Sequence, residues 1–389
     1  MAGVIIGSMD SAPDTPPSES PPNPRTQQLR ALGQSLWLDN ITRSLLDSGL
    51  LATYIRDLAV SGLTSNPTIF EHAIAAGTAY DASIEALSIQ GLAGEDLFFE
   101  LALQDLRRAA DLFRPAFDAS GGLEGWVSLE VSPLLADNTA HTIHAAARLF
   151  ERAARPNVFI KIPGTLEGLR AVEEVLFDGV PVNVTLLFST EQYRAAAAAH
   201  LRALERRLAA GLHLKVASVA SLFVSRWDVA VQDTVAPAFR NRLGIAVAMQ
   251  SYRAHQEWLA TDRWKRLAAN GAQPQRLLWA STGVKDPDAA DTLYVQALAA
   301  PGTINTLPEK TLLAWADHGA LGAGIDAALP ADGGYADGVL QEHRREGINL
   351  DTLALRLQRE GVATFTQSWH ALLACIQNKC LVRARDGSA

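Results

Sequence analysis

Residues 157–164 read NVFIKIPG, and this stretch is the strongest indication of the fold. Its branched apolar side chains are typical of a buried β-strand, and Pro163 and Gly164 suit the point where the chain leaves a sheet. Lys161 interrupts the apolar run with a strongly hydrated ammonium group. Because strand side chains alternate between two faces, Lys161 shares its face with Phe159, and the other face is wholly apolar. The stretch therefore predicts a buried strand that directs one cation inward.

Seven further runs of the same kind occur along the chain, separated by longer helical segments rich in Ala, Leu and Arg. With 157–163, the predicted strands cover 35–41, 61–67, 125–133, 181–189, 214–224, 276–282 and 302–308. Eight strands that alternate with helices predict a parallel α/β sheet closed into a (β/α)8 barrel, a TIM barrel. The wide gaps at 68–124 and 225–275 predict inserted helices, and helices are also expected after the last strand.

Within each predicted strand, the polar residues occupy alternate positions and therefore share one face of the strand. Helices cover the outside of such a barrel, so the outer face should be apolar and the polar face should point inward. The inward set comprises Asp39, Asn66, Glu130, Lys161, Asn183 and Thr185. Five strands therefore direct six polar side chains toward one small volume.

The composition of the chain argues against several classes of function. The chain has 389 residues, 48% hydrophobic and 20% charged, with a net charge of −8. The sequence contains no basic stripe of the kind that binds nucleic acid. It also contains no apolar run long enough to span a membrane. Cys375 and Cys380 do not form a zinc or disulfide pattern, which favours two reduced thiols and a cytoplasmic location.

The N-terminal segment differs from the rest of the sequence. Residues 1–29 are rich in Pro and Ser and lack periodicity, so we expect a disordered tail. Residues 30–389 are expected to form a single barrel domain.

Three of the inward residues can support covalent chemistry on a carbonyl compound. Enclosure lowers the pKa of a lysine, and Lys161 could then attack a ketone and form a Schiff base. Neighbouring carboxylates act in the opposite direction, so the sequence leaves the balance open. Asp39 and Glu130 could each move protons, although either one alone could simply balance the lysine charge.

The remaining inward residues suit a polyhydroxylated ligand. Asn66 and Asn183 could donate and accept hydrogen bonds, but Asn66 could equally serve the turn before Pro67. Thr185 could hold a water molecule beside Glu130.

Two segments, GLTSNPTIF (62–70) and VFIKIPGTLEGL (158–169), resemble the signature segments of the transaldolase family, which belongs to the class I Schiff-base aldolases. The segments LWLDNITR, VSLEVSP, VNVTLLFS and SLFVSRWD resemble its other strand motifs in the same order. The similarity covers about residues 30–380, and LLWASTGVKDP and NTLPEKTL make it closest to the longer bacterial subgroup.

The resemblance implies roles for individual residues. Lys161 would be the Schiff-base nucleophile, and Asp39 would take the proton from the C4 hydroxyl of the substrate. Glu130 would shuttle protons through a water held by Thr185. Asn66 and Asn183 would bind the dihydroxyacetone unit.

The resemblance also implies a phosphate-binding end. Ser221 would contact a substrate hydroxyl, and Arg226 and Ser281 would bind phosphate. Many family members have an arginine two residues after the Ser281 position, whereas this chain has Gly283. We expect Lys285 to supply the second cation as a point charge.

The family resemblance thus implies a transferase that moves a dihydroxyacetone unit from a ketose phosphate to an aldose phosphate, in the non-oxidative pentose phosphate pathway. The alternatives are a Schiff-base aldolase that releases free dihydroxyacetone and a barrel that only binds sugar phosphates. The iminium serves as the electron sink, so no metal or organic cofactor is expected. A monomer or a homodimer is expected, without nucleic-acid or membrane partners.

Overall fold

A computed structural model describes residues 21–322 and 328–386, and its centre is a closed parallel barrel with strand order β1-β2-β3-β4-β5-β6-β7-β8. The strands are β1 (Ser35–Asp39), β2 (Val60–Thr64), β3 (Trp126–Glu130), β4 (Val158–Pro163), β5 (Val182–Leu187), β6 (Ser218–Phe223), β7 (Arg276–Ala280) and β8 (Ile304–Leu307). Each lies within or overlaps one predicted run. The prediction of a (β/α)8 barrel is confirmed.

Helices surround the barrel. In the described part of the chain they are α1 (Pro24–Leu32), α2 (Arg43–Asp47), α3 (Leu50–Asp57), α4 (Pro67–Ala76), α5 (Asp81–Ile89), α6 (Gly94–Ala119), α7 (Thr139–Ala153), α8 (Leu166–Phe177), α9 (Thr190–Ala209), α10 (Ser225–Val231), α11 (Leu243–Leu259), α12 (Asp262–Ala269), α13 (Leu293–Ala297), α14 (Glu309–His318), α15 (Ala336–Arg345) and α16 (Leu350–Asp386). Short 3-10 helices cover Pro133–Leu135 and Pro237–Phe239. Helices occupy both intervals where the sequence predicts insertions. Within the described residues, no helix combines the length and hydrophobicity needed to cross a bilayer.

The N-terminal prediction needs a correction. Residues 1–20 of the expected tail lie outside the described residues, but residues 24–29 belong to α1. The Asn23 side chain caps this helix, and Leu29 is fully buried. The prediction of a disordered segment is therefore wrong for these residues, because a Pro at the first helical position and an Asn before it are a helix start signal.

Short connections hold the carboxyl ends of the strands in place. Asn66 caps α4 two residues after β2 ends, Thr165 caps α8 after β4, and Ser189 forms a capping box at the start of α9 after β5. Each cap satisfies backbone N–H groups that would otherwise lack partners at a helix start. These turns leave little freedom to the residues at the strand ends.

Aromatic side chains fill the barrel interior beneath Lys161. Phe159 shares the inward parity of Lys161 and stacks on Trp126 with ring centroids 4.1 Å apart. Trp37 of β1 lies 6.2 Å from Phe159, centroid to centroid. The middle of the barrel is therefore a packed core, as in other TIM barrels, and open space is left toward its ends.

Candidate active site

Lys161 lies inside the barrel and is 5% exposed. Its Nζ donates to the backbone carbonyl of Ser65 at 3.0 Å and lies 3.2 Å from Oε2 of Glu130. Strands β3 and β4 pair so that Glu130 and Lys161 are direct neighbours. The sequence pattern therefore places the cation and one carboxylate side by side.

Glu130 is buried beside this cation. Burial raises the pKa of its carboxyl group, and the positive charge of Lys161 opposes that rise without cancelling it. Neither carboxylate oxygen accepts a well-aligned hydrogen bond among the described residues, so the contact with Lys161 is an ion pair. A carboxylate whose pKa is raised in this way is a better proton acceptor than one in water.

Asp39 is the second carboxylate and ends β1. The Thr64 hydroxyl donates to its Oδ1 at 2.7 Å, and the Thr306 hydroxyl lies 2.7 Å from that of Thr64. Burial raises the pKa of Asp39, while Lys161 and the Thr64 hydrogen bond lower it by less. Because Thr64 directs its proton to Asp39, Thr306 must donate to Thr64, and the three side chains form a relay.

Asn183 is held on both sides by side-chain hydrogen bonds. Its amide nitrogen donates to the Ser128 hydroxyl at 3.2 Å, and its oxygen accepts from the Ser221 hydroxyl at 2.7 Å. Both ends of the Asn183 amide are therefore engaged by serine hydroxyls, of β3 and β6 respectively.

Thr185 follows on the same strand and has a different environment. Its hydroxyl is buried and has no hydrogen-bond partner among the described residues. The next residue, Leu186, has a φ of 57°, a left-handed conformation that costs energy for a branched side chain. An unpaired hydroxyl and a strained backbone occur together at the carboxyl end of β5, as is common where a site is built for a ligand.

A cavity of about 300 Å³ opens at the carboxyl ends of the strands, next to Lys161. Seven of the ten predicted site residues line it: Asp39, Asn66, Lys161, Ser221, Arg226, Ser281 and Lys285. The other three, Glu130, Asn183 and Thr185, are buried behind this lining. A cavity of this size accommodates a small ligand.

Asn66 serves the turn before Pro67 and also lies at the cavity. Its Oδ1 accepts from the backbone N–H of Ile69 at 3.1 Å and so caps α4. The residue also lines the cavity. Since the oxygen serves the helix, the amide nitrogen is the group that it can offer to a ligand.

Two cationic side chains, Arg226 and Lys285, line the cavity. Arg226 is half-buried, and burial lowers the pKa of its guanidinium, an effect that the nearby Glu360 carboxylate opposes. Ser281 is 2.9 Å from the Ser225 hydroxyl and has a φ of 55°. These are charged and hydroxyl donors of the kind that bind phosphate.

Lys285 lies beside the glycine that departs from the family pattern. A Cβ atom built on Gly283 would be 3.9 Å from Nζ of Lys285 and 3.2 Å from Cγ of Pro308. Lys285 is exposed, so its charge is more strongly screened than that of Arg226.

Several cavity residues were missed from the sequence. They are Thr64, Thr68, Ile69, His72, Phe223, Ala280, Thr306, Pro308, Thr364 and Phe365. The strand parity that selected Asp39 and Asn66 could also have found Thr64 and Thr306. No local signal identifies Phe365, because it comes from helix α16, far from the strands in sequence. Within the described residues, no cluster of three or more His, Cys, Asp or Glu side chains could hold a metal ion.

The chain is similar in sequence to proteins of known family. Residues 36–376 match the family model described as Transaldolase/Fructose-6-phosphate aldolase. A protein from Saccharopolyspora erythraea named Transaldolase is 44% identical over 363 residues, which cover 92% of this chain and 98% of that protein. A Transaldolase from Thermobifida fusca is 44% identical over 89% of this chain and 96% of its own length. Transaldolase 2 from Nostoc punctiforme is 40% identical over 91% and 97%.

Proposed function

The chain belongs to the transaldolase/fructose-6-phosphate aldolase family, and on this premise we propose that it transfers a dihydroxyacetone unit from a ketose phosphate to an aldose phosphate. The donors are fructose 6-phosphate or sedoheptulose 7-phosphate, and the acceptors are erythrose 4-phosphate or glyceraldehyde 3-phosphate. The observation that carries the proposal is the buried Lys161 Nζ, 3.2 Å from Glu130 and open to a cavity that Asp39 also lines.

Lys161 begins the reaction by adding its amine to the ketone carbon of the donor. The amine must be neutral when it attacks, and Glu130 is the nearest group that can accept its proton. The resulting carbinolamine loses its hydroxyl as water and becomes an iminium. We assign the proton for that hydroxyl to Glu130, by way of a water on the Thr185 hydroxyl, since both groups have unused hydrogen-bonding capacity.

Asp39 takes the proton from the C4 hydroxyl of the iminium. The C3–C4 bond then breaks, its electron pair moves into the iminium to form an enamine, and the aldose phosphate leaves. The raised pKa of Asp39 favours this step, because a more basic carboxylate removes a hydroxyl proton more readily. The relay through Thr64 and Thr306 keeps the carboxylate oriented.

The acceptor aldose phosphate then enters the same cavity. The enamine carbon attacks its aldehyde, and Asp39 returns its proton to the new alkoxide. Water hydrolyses the new iminium, which frees the product ketose and restores Lys161. Because the iminium accepts the electron pair on cleavage and the enamine gives it up again on addition, the chemistry needs no other electron sink.

Arg226, Ser281 and Lys285 bind the phosphate groups of donor and acceptor in this proposal, and Ser221, Asn66 and Asn183 bind the hydroxyl groups nearer Lys161. The support is their position: the three phosphate-binding candidates line the same cavity as Lys161. An acidic chain that binds anions needs such a local cationic region.

A two-substrate assay tests the proposal. Fructose 6-phosphate with erythrose 4-phosphate should yield sedoheptulose 7-phosphate and glyceraldehyde 3-phosphate. An aldolase would instead produce free dihydroxyacetone at the same rate with or without erythrose 4-phosphate, and a binding protein would produce neither. Either of those results would contradict the proposal.

We also propose a cytoplasmic location. Cys375 and Cys380 are both free thiols, which suits a reducing compartment. Fractionation of the source cells, with an antibody against the chain, would test it.

A further inference from the structure

Helix α16 lies against the carboxyl end of the barrel and is fixed there by polar contacts. Trp369 donates from Nε1 to Glu95 at 2.7 Å. The Ser368 hydroxyl is 2.8 Å from that of Thr68, a cavity residue on α4. Lys379 pairs with Asp81 at 2.7 Å. These contacts hold the helix beside the site.

Gln358 connects the same helix to the two strands that carry Lys161 and Thr185. Its amide nitrogen donates to the carbonyl of Gly164, just after β4, and to that of Leu186 on β5, both at 3.0 Å. At Gly361, one turn later, a Cβ would be only 2.9 Å from a methyl carbon of Leu186. The helix therefore approaches the barrel as closely as its backbone permits at this position.

Phe365 lies two turns after Gln358, on the same face of α16. It is 5% exposed, lines the cavity, and has its ring centroid 5.9 Å from Nζ of Lys161. This distance is within the range of a cation–π contact. The ring covers the cavity next to the atom to which the substrate becomes attached.

We propose that Phe365 is a specificity-determining residue that shields the three-carbon enamine from solvent protons and so favours transfer over release; the inference rests on the function proposed above. The enamine carbon can take one of two electrophiles. It attacks the acceptor aldehyde, or it takes a proton from water and becomes an iminium. In the second case water adds to the iminium carbon, the C–N bond breaks, the amine of Lys161 is restored and dihydroxyacetone leaves. An apolar ring over the enamine keeps bulk water from that carbon.

The shield leaves the productive hydrolysis of the ketose intact. That step uses the water on the Glu130 and Thr185 side of Lys161, where both groups are buried behind the cavity lining. Phe365 approaches from α16. Phe365 is part of that lining, whereas Glu130 and Thr185 lie behind it.

The test measures a ratio of rates: dihydroxyacetone release from fructose 6-phosphate alone, divided by transfer to saturating erythrose 4-phosphate. Phe365→Ala should raise this ratio about tenfold, because it opens the cavity above the enamine. Phe365→Leu keeps most of the buried volume and should raise it about threefold. In heavy water, the released dihydroxyacetone should carry one deuterium on the protonated carbon.

Leu355→Ala is the matched control, since Leu355 is an exposed residue of the same helix, and the ratio should stay at its wild-type value. An unchanged ratio in folded Phe365→Ala would overturn the inference, and Phe365→Leu decides it in the same way if the alanine variant does not fold. A wild-type protein that shows no transfer at all would overturn the proposed function as well, which separates the two failures.

Discussion

The two ends of the barrel each contain a cavity and a strand-borne cation with a carboxylate partner. At the carboxyl ends of the strands, a cavity of about 300 Å³ adjoins Lys161, which is 3.2 Å from Glu130. At the amino ends, a cavity of about 310 Å³ adjoins Arg276, which is 3.4 Å from Glu124. The two cavities are similar in size and each holds a cation paired with a glutamate, although the Glu124 side chain is 21% exposed and that of Glu130 only 3%.

The ion pairs at the two ends of the barrel differ in the hydrogen bonds that they make. Each nitrogen of Arg276 donates to an acceptor, among them the carbonyls of Gly302, Leu123 and Thr303. The Glu124 oxygens accept from serine hydroxyls on β1 and β2. Both carboxylate oxygens of Glu130 and the hydroxyl of Thr185 lack hydrogen-bond partners among the described residues.

This difference distinguishes an ion pair that stabilises the fold from one that can take part in a reaction. A buried ion pair with all its hydrogen bonds made holds the chain together, and removing one partner is costly. A buried ion pair with unused capacity can exchange protons with a ligand. The comparison predicts that variants at the carboxyl end change activity and that variants at the amino end change stability.

The largest expected effect is at the nucleophile. Lys161→Met should lower the transfer rate by at least about 10,000-fold, because it removes the amine, buried beside Glu130, that forms the Schiff base. The protein should remain folded, since Glu130 can then take up a proton in place of its lost partner. A coupled transfer assay and thermal unfolding measure both. Substantial activity in this variant would refute the assigned nucleophile.

The corresponding change at the other end should act on stability. Arg276→Met removes the hydrogen bonds of the guanidinium and leaves the Glu124 carboxylate without its cation, so the free energy of unfolding should fall by about 3–5 kcal/mol. The turnover number of the molecules that remain folded should be unchanged. Urea denaturation measures the free energy of unfolding, and active-site titration gives the turnover number of the folded molecules. A large fall in turnover number would contradict a purely structural role for Arg276.

The paired carboxylates sharpen the comparison with isosteric changes. Glu130→Gln should lower kcat by about 100-fold to 1,000-fold, since the amide cannot exchange the proton. Glu124→Gln should leave kcat unchanged and lower the free energy of unfolding by about 1–3 kcal/mol, because its hydrogen bonds become mismatched. Equal effects of both changes on kcat would show that the contrast in hydrogen bonding has no functional meaning.

Substrate affinity should distinguish the two cations within the cavity. Arg226→Ala should raise KM for fructose 6-phosphate by about 30-fold, because a half-buried guanidinium makes strong paired hydrogen bonds to phosphate. Lys285→Ala should raise it by about threefold, because its exposed charge is screened. Steady-state kinetics decide, and the reverse order would move the main phosphate contact to Lys285.

The smallest effect concerns pH and stability. The pKa of Asp39 is raised in the folded protein, so the folded state binds this proton more tightly than the unfolded state does. As pH rises from the ordinary aspartate pKa of 3.8 through the raised value, wild-type stability from this group is lost, and above that value the loss is complete.

Asp39→Asn cannot ionise and keeps an oxygen that can accept the Thr64 hydrogen bond. The variant should therefore gain stability relative to wild type as pH rises through this window, while its activity falls. The gain stays small because the attraction of Lys161 offsets part of the desolvation cost. Denaturation curves between about pH 4 and pH 8 test the sign, and a variant that loses relative stability with rising pH would contradict it.

The alternation of side chains along the strands was enough to predict most of the barrel and of the candidate site from the sequence. A single register of alternating residues in β4 determined that Lys161 points inward, and the same rule placed Glu130 and Asn183 beside it. Such alternation is local, so it can be read without the fold. The hydrogen bonds of these residues could not be read, because their partners come from other strands.

Contacts made by the long helix α16 could not be predicted from the sequence. Phe365 lies more than 200 residues from Lys161 in the chain and approaches it through tertiary packing alone. The carbonyl of Ser65, which accepts from Lys161, gives no sequence signal because every residue has one. The start of α1 was missed for a different reason: a Pro-rich composition masked a helix start signal at Asn23 and Pro24.

Trapping the Schiff base shows directly whether Lys161 is the nucleophile. The protein is incubated with fructose 6-phosphate and reduced with borohydride, and its peptides are then analysed by mass spectrometry. We expect one stable adduct, on the peptide that contains Lys161, and no adduct in Lys161→Met. An adduct on another lysine, or turnover of the substrate with no adduct on Lys161, would contradict it.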